Sequence, residues 1–494
     1  MESKGGSRVP QYLATIILDL LHLSYGLAIG WPATALPQLM SEDTPLSTGP
    51  ISEEDASWLA AIFYFVAAAS MPLYSFLCEK LGRKKCGYLV GIPYVISGIL
   101  LAAADSLPML QAAKVFLGLS AGGIFVLCPV YVSEIAEDEI RGSLGVFLTL
   151  LRSIGILIAN IIGTFFSLRT VACISLVPPV LYLLCLPWLP ETPIYLLRRG
   201  KTDKATRSLQ WFRGKGTVVD QEIQDMTSGL RNMKSDGAAA ASFKDLFASK
   251  GTIKAVSIGV MLCFNQQMSG FFGVISYTVE IFQEAGSSLA PNISSIIVSV
   301  MLVGATIAAT VLCDKVGRKI LLFTSNALMI VSLAILGIYF HVKEAGGSLS
   351  GLGWIPLTCL SLYVISYSIG LGPLPIVLMT EIFSPRLRNM AITSNGVLVW
   401  FSIFLVTKFY PNLCEALGKH GAFYLFSVCC VIGAVYMQFV LPETKNRPQE
   451  AILEDLQGTS RSIVPSETDK EQSAFLPPTD VKVVKSGEKS ERVT

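Results

Sequence analysis

Carboxylates and guanidinium groups recur at fixed spacings in two distant parts of this chain. Glu79 is followed by Gly82-Arg83-Lys84-Lys85, and Asp314 by Gly317-Arg318-Lys319. Glu134 precedes Arg141 by seven residues, Glu381 precedes Arg388 by the same seven, and Pro190-Glu191-Thr192 returns as Pro442-Glu443-Thr444. The copies lie 235, 247 and 252 positions apart. Arginine clasps a carboxylate through two parallel hydrogen bonds, which gives strong, directional pairing at the edge of a low-dielectric medium. Glu79, Arg83, Glu134, Arg141 and Glu191, with their counterparts Asp314, Arg318, Glu381, Arg388 and Glu443, can therefore form pairs that exist in one conformation and not in another. A bias of about a few kcal/mol from such pairs is enough to shift a balanced two-state equilibrium. Lys84, Lys85 and Lys319 read as charge that sets orientation.

Other polar groups stand inside apolar stretches. Gln266 and Gln267 are adjacent primary amides that require partners or a polar cavity. Arg152 lies one helical turn beyond Thr149, on the same face, and an arginine among apolar residues is a functional candidate unless a carboxylate or carbonyls hold it. Asp19 and His22 are likewise one turn apart. No nucleophile–base set and no phosphate-binding glycine loop is present, which argues against an enzyme. The eleven cysteines are scattered without a CxxC spacing, so neither a disulfide framework nor a metal site is expected.

The elements that must position these groups are membrane spans. Hydrophobic residues make up 52% and charged residues 15% of the 494, and the mean hydropathy is +0.57, outside the range of a soluble domain. Apolar runs of about 18 residues or more predict twelve helices at 12–30, 57–77, 87–104, 109–130, 144–166, 171–189, 253–275, 293–312, 320–340, 354–377, 391–410 and 421–441. Basic residues cluster in alternate connections (Arg83 to Lys85, Arg198 to Lys204, Lys315 to Lys319, Arg386 and Arg388), which places these loops and both termini in the cytoplasm. The sequon at Asn292 then falls outside, as a candidate glycosylation site. The expected organisation is a six-helix half at 1–190, a polar connection at 191–252, a second six-helix half at 253–442 and a polar tail at 443–494, disordered beyond about Gly458. Within the connection, Thr202 to Arg213 and Ser242 to Ala248 are expected as short helices with N-caps. Gly270-Phe271-Phe272-Gly273 and Gly370-Leu371-Gly372-Pro373-Leu374-Pro375 interrupt the seventh and tenth spans. Such breaks survive where protein or water receives the freed backbone groups.

The ordered set of motifs resembles the major facilitator sugar porters. It runs through Glu79 with Gly82-Arg83-Lys84, Tyr131-Val132-Ser133-Glu134 with Arg141, Pro190-Glu191-Thr192-Pro193, Gln266-Gln267-Met268-Ser269-Gly270, Asp314 with Gly317-Arg318-Lys319, Glu381 with Arg388, and Pro442-Glu443-Thr444. Gly30-Trp31-Pro32-Ala33-Thr34-Ala35-Leu36-Pro37 is similar to the insect branch that includes facilitated trehalose transporters. The resemblance implies an all-α membrane protein of the major facilitator fold, with two six-helix halves around a substrate site and a charge gate built from the paired motifs. It implies sugar contacts at Gln266, Gln267 and Trp400, with Thr149 at the place of a fifth-span glutamine and Arg152 beside it. Ile194 stands where the family has an arginine, with Arg198 nearby; Phe272, Ile376 and Val399 replace polar or stacking groups, so the site is more apolar than its relatives'.

The implied function is facilitative transport of a sugar, trehalose or a hexose, across the cell membrane. Gly26 occupies the position where proton-coupled porters carry a first-span aspartate, which favours uniport. Proton symport through Asp19 and a non-transporting sugar sensor remain the alternatives. The expected partners are a sugar and the lipid bilayer, with no cofactor, metal or nucleic acid and a monomer as the working unit.

Overall fold

The computed structural model describes residues 8–214, 217–235, 243–349 and 351–444, together with 452, 455 and 456. The tail expected to be disordered lies outside the described residues. The first half is built from α1 (Val9–Met40), α2 (Glu53–Leu81), α3 (Arg83–Ala103), α4 (Leu107–Ile135), α5 (Asp138–Phe165) and α6 (Leu168–Cys185). A connection follows with α7 (Pro193–Arg198), α8 (Thr202–Arg213), α9 (Thr217–Ser235) and a 3-10 turn at Phe243–Phe247. The second half contains α10 (Lys250–Met268), α11 (Phe271–Ser276), α12 (Thr278–Ala285), α13 (Pro291–Lys315), α14 (Arg318–Glu344), α15 (Ile355–Ile369), α16 (Leu374–Ile382) and α17 (Pro385–Val440).

These helices account for twelve crossings. Eleven helical stretches among the described residues are long and apolar enough to span a bilayer, and the last, Met390–Val440, is 51 residues long. At 1.5 Å per residue a straight helix of that length measures about 77 Å, more than twice the hydrocarbon thickness. It folds back at Gly418, whose φ of 71° only glycine adopts at little cost. The returning segment then stacks Phe423 on Phe340 of α14, with ring centroids 5.5 Å apart. The helices run past the apolar runs at their ends; α1 continues through Pro32 and Pro37 to Met40, because burial inside the bundle satisfies the backbone that proline frees.

The seventh and tenth spans are discontinuous where glycine and proline predicted. Span seven breaks at Gly270, in the left-handed region at φ 83°, and again at Tyr277. Span ten breaks between Ile369 and Leu374. The connection differs from expectation in detail. α8 has the expected bounds, but its N-cap is Lys201, which contributes no side-chain cap. Ser242 lies outside the described residues, and the helices α7 and α9 were not expected, although Val219, Ile223 and Met226 give α9 an apolar face that packs on Leu196, Ala205 and Leu209. The connection docks on the first half: Arg213 Nη1 donates to Ile135 O at 2.7 Å, and Gln11 Nε2 to Phe212 O at 3.3 Å.

Candidate functional site

The two helix breaks are joined by a glutamine. Gln266, near the end of α10, donates from Nε2 to Leu371 O at 2.9 Å and Gly372 O at 3.0 Å, two carbonyls released by the break in span ten. Its Oε1 accepts from Gln267 Nε2 at 2.9 Å. The same seam holds Tyr363 OH to Ser269 O at 2.8 Å and the rings of Phe271 and Tyr367, stacked 3.7 Å apart. The amide of Gln266 is thus fully engaged by protein, whereas Gln267 Oε1 is buried and has no hydrogen-bond partner among the described residues. Adjacent in the sequence, the two amides have different surroundings in the structure.

Trp400, on the first part of α17, is 2% exposed and packs against rings of the opposite half. Its centroid lies 4.9 Å from Phe125, 5.6 Å from Tyr25 and 6.0 Å from Tyr64. Phe272 of α11 reaches Tyr64 at 5.9 Å. Tyr64 is fully buried, with the Ser276 hydroxyl of α11 as its polar neighbour. These aromatic residues form a wall between the halves, with few polar groups aimed into it.

Arg152 approaches this wall from α5. Gly26 of α1 lies so close to the Arg152 carbonyl that a Cβ there would collide, and Gly155 meets the α1 backbone at Leu23 in the same way. This tight crossing places the Arg152 charge within electrostatic reach of His22 and Tyr25 on α1, Tyr64 on α2 and Tyr367 on α15. Arg152 is half-buried, and no hydrogen bond or ion pair holds it among the described residues. The Thr149 hydroxyl turns back to Val146 O at 3.0 Å. Asp19 is fully buried with both carboxylate oxygens lacking hydrogen bonds, and its near neighbour is His22 Nδ1 at 3.6 Å, not Arg152.

Among the described residues, three of the hydrogen bonds between the halves run from the bundle's middle to the end remote from Arg83. They are Ser153 to Thr306 at 3.0 Å, Asn160 to Ser299 at 2.9 Å, and Lys408 Nζ to Ser57 Oγ at 2.7 Å. Lys408 also lies 4.9 Å from the Trp58 ring.

The charged motifs lie at the other end and share one geometry in both halves. Glu191 accepts from the backbone N–H groups of Arg83 and Lys84 at 2.9 and 3.1 Å, and Glu443 from those of Arg318 and Lys319 at 3.0 and 3.2 Å. Each carboxylate therefore sits on the positive end of a helix. Gly82 and Gly317 leave the room: a Cβ on Gly82 would strike Glu191 Oε2, and one on Gly317 would come within 2.8 Å of Glu443 Oε2. Lys84 and Lys319 each donate to a carbonyl 2.7 Å away, Pro187 O and Gln438 O, so they do more than set orientation. Arg83 pairs with Glu134 at 2.7 Å and with Glu79 at 3.0 Å. Arg318 pairs with Glu381 at 3.4 Å. Arg198 completes the first cluster by reaching Glu79 at 3.2 Å, supplying the guanidinium absent at Ile194. Arg141 Nη2 donates to Ala136 O at 3.4 Å, and Arg388 stands in the first turns of α17. The Asp314 side chain lies outside the described residues. The pairs named here join helices of one half rather than the two halves. Asn292 is half-buried in the first turn of α13 and its sequon partner Ser294 is fully buried, a helical setting rather than an open loop.

The family model for "Sugar (and other) transporter" matches residues 16–456. The chain belongs to this family. Among curated members, it is 34% identical over 456 residues to a facilitated trehalose transporter homologue of Drosophila sechellia, covering 92% of this chain and 93% of that protein. It is 34% identical over 457 residues to the facilitated trehalose transporter of Polypedilum vanderplanki, covering 92% and 90%. Its fold is that of the inward-open xylose transporter XylE of E. coli, with a TM-score of 0.75 at 21% identity over 90% of this chain and 99% of the other. The likeness extends to XylE bound to 6-bromo-6-deoxy-D-glucose, with a TM-score of 0.73 at 23% identity. The fold is accordingly the all-α major facilitator fold, with two six-helix halves.

Family motifs led to Gln266, Gln267, Trp400 and the charged clusters. They did not lead to Tyr25, Tyr64, Phe125 or Lys408, which belong to no motif and carry no spacing signal. An intramembrane lysine was the only signal that could have marked Lys408.

Proposed function

We propose that this chain is a facilitative sugar transporter, carrying trehalose or a hexose across the cell membrane by alternating access. The observation that supports this best is the aromatic-walled region between the halves, where two broken helices meet, where Gln267 Oε1 has no hydrogen-bond partner among the described residues, and where the Tyr64 hydroxyl stands beside that of Ser276. A sugar offers hydroxyls to those atoms and apolar faces to Trp400 and Tyr25. Arg152 and Thr149 stand on the same face of α5 as further donors. The relatives named as facilitated trehalose transporters favour the same substrate class.

In this reading, residues 1–190 and 253–442 are the rocking halves, 191–252 is a cytoplasmic connection, and 443–494 is a cytoplasmic tail. Glu79, Arg83, Glu134, Arg141 and Glu191, with Asp314, Arg318, Glu381, Arg388 and Glu443, form the cytoplasmic gate. Each cluster ties the helix ends of its half into one plate, and the two plates meet when that side closes. The Lys408–Ser57 contact supports a conformation closed at the outer end. The monomer is the working unit, and Asn292 is the candidate glycan site.

Counterflow of radiolabelled sugars in proteoliposomes, with and without a pH gradient, tests the proposal. Exchange of at least one sugar that is indifferent to the gradient is expected; no exchange across a broad panel would overturn it. A second reading, proton symport, draws on the buried and unsatisfied Asp19 carboxylate. It requires uncoupler-sensitive accumulation that Asp19→Asn abolishes.

A further inference from the structure

Two of the chain's three histidines meet at the end of the second half remote from the charge clusters. α14 starts at Arg318, beside Glu443, and its last turn carries His341, Lys343 and Glu344 to the opposite end of the bundle. There α17 folds back at Gly418, and Lys419 and His420 follow. The ring centroids of His341 and His420 are 4.7 Å apart. His420 Nδ1 is paired with Glu344 Oε2, and Glu344 Oε1 accepts from the Lys419 backbone N–H at 3.1 Å. One carboxylate thus holds both residues of the turn. The pair also explains the glycine, because a Cβ at Gly418 would strike His420 Nδ1 and Glu344 Oε2.

The turn aims Lys419 at α12. Lys419 is 9% exposed, and its Nζ lies 3.0 Å from Glu280 Oε1 and 2.6 Å from Glu284 Oε2. Both carboxylates belong to α12, the short piece of span seven nearest this end, set off by Tyr277 on one side and left-handed Gly286 on the other. α14 holds the same piece, through Tyr339 OH to Ala285 O at 3.0 Å and Lys343 Nζ to Glu284 O. α12 continues from α11, whose Phe272 and Ser276 stand against Tyr64 of the first half. Contacts therefore run without a gap from the histidine pair to the wall between the halves.

The charged groups facing the pair are Lys343 and Glu344 of α14, Lys419 of the turn, and Glu280 and Glu284 of α12. Tyr424 of α17 lies 6.1 Å from the His420 ring. With both imidazoles neutral, three carboxylates face two ammonium groups. A proton on His420 balances these charges and turns its contact with Glu344 into an ion pair, a bond roughly twice as strong. A second proton, on His341, would set two cations side by side. Imidazole is the side chain that ordinarily changes charge between about pH 5 and 8.

We propose that this end of the molecule is a proton-operated clamp on α12: a proton on His420 fixes the turn through Glu344, and the fixed turn holds Lys419 between Glu280 and Glu284. The added ion pair is present at the acid end of the imidazole range and is lost as pH rises through it. Acid therefore tightens the clamp and slows the outer opening of the sugar path. That effect on transport rests on the function proposed above, whereas the clamp itself does not.

A nitroxide attached to Gln283→Cys, at an exposed position of α12, tests it in the full-length chain in lipid nanodiscs, with the signal of the unsubstituted chain subtracted. The mobile fraction should rise about threefold from about pH 5.5 to about pH 7.5, the scale of a half-exposed ion pair. His420→Gln and Glu344→Gln should abolish the rise, His341→Gln should keep it, and Lys419→Met should leave the label mobile throughout. No rise in the parent protein, or a rise that survives His420→Gln, would overturn the clamp. Loss of the rise in His341→Gln would overturn His420 as the responding ring. Sugar counterflow with equal pH on both sides is read separately and should slow about threefold at the acid end. A label response with no counterflow of any sugar would overturn the transport reading alone. Counterflow equal at both pH values would overturn the clamp's action on transport.

Discussion

The two charge clusters copy each other in sequence but not in burial, and this asymmetry yields a quantitative expectation. Arg83 and Glu134 are 2.7 Å apart with side chains 1% and 8% exposed. Arg318 and Glu381 are 3.4 Å apart with side chains 20% and 25% exposed. At an effective dielectric constant of about 20 the two attractions are about 6 and about 5 kcal/mol, so distance hardly separates them. Desolvation does. Removing one member of the buried pair strands the other, at a cost of about 3–5 kcal/mol. In the second pair both side chains are partly exposed, and a smaller cost of about 1–2 kcal/mol is expected. Arg83→Met should therefore destabilise the protein far more than Arg318→Met. The double variant Arg83→Met/Glu134→Gln should recover at least about 2 kcal/mol relative to the sum of its singles. The corresponding recovery for Arg318→Met/Glu381→Gln should stay below about 1 kcal/mol. Denaturant titration of the detergent-solubilised variants measures all six. Equal coupling in both halves, or coupling near zero for Arg83 and Glu134, would refute the argument that burial rather than motif identity sets their strength.

Further expectations follow from single contacts. Gly82→Ala should cost about 2 kcal/mol more than Gly317→Ala, because Gly82 combines φ 97° with the Glu191 clash while Gly317 has an ordinary φ of −60°; paired unfolding curves decide it. Gln266→Leu strands two carbonyls at about 1–3 kcal/mol each and should lower folded yield. Gln267→Leu strands one acceptor, Gln266 Oε1, so it should cost less stability than Gln266→Leu while weakening sugar affinity about fivefold, read as the half-saturating concentration in counterflow. Lys408→Met removes a charge-assisted bond of about 1.5–3 kcal/mol across the halves. It should raise maleimide labelling of a Ser276→Cys probe from the outer side by about tenfold or more, and an unchanged rate would show that this contact is no latch.

Much of the architecture was legible because membrane burial imposes a strong, local code. A run of apolar residues must be a helix in lipid, so the spans emerged from composition. The glycine and proline clusters announced the breaks at Gly270 and Gly370–Pro373 through backbone sterics alone. Helix ends were less legible: α1 continues to Met40 through two prolines, because the surrounding bundle satisfies what an isolated helix could not. α7 is a single short stretch of six residues that takes its stability from docking, whereas α9 did carry a helical signal in Val219, Ile223 and Met226.

The sequence by itself determined the class, the duplication and the residues of both charge clusters, since each of these is written in order and type along the chain. Which partner each residue has was decided only by the tertiary structure. Glu191 and Glu443 sit on helix N-termini, Gln266 is spent on the carbonyls of another span, and Trp400 is enclosed by rings of the opposite half. Arg152 and Lys114 look alike in sequence, as lone cations in apolar helices. One is placed by a glycine crossing beside the interface between the halves, the other over the Trp31 ring within one half. The physical reason is that hydrophobicity acts on each segment separately, whereas hydrogen bonds, ion pairs and close approach depend on the distance between segments remote in the chain.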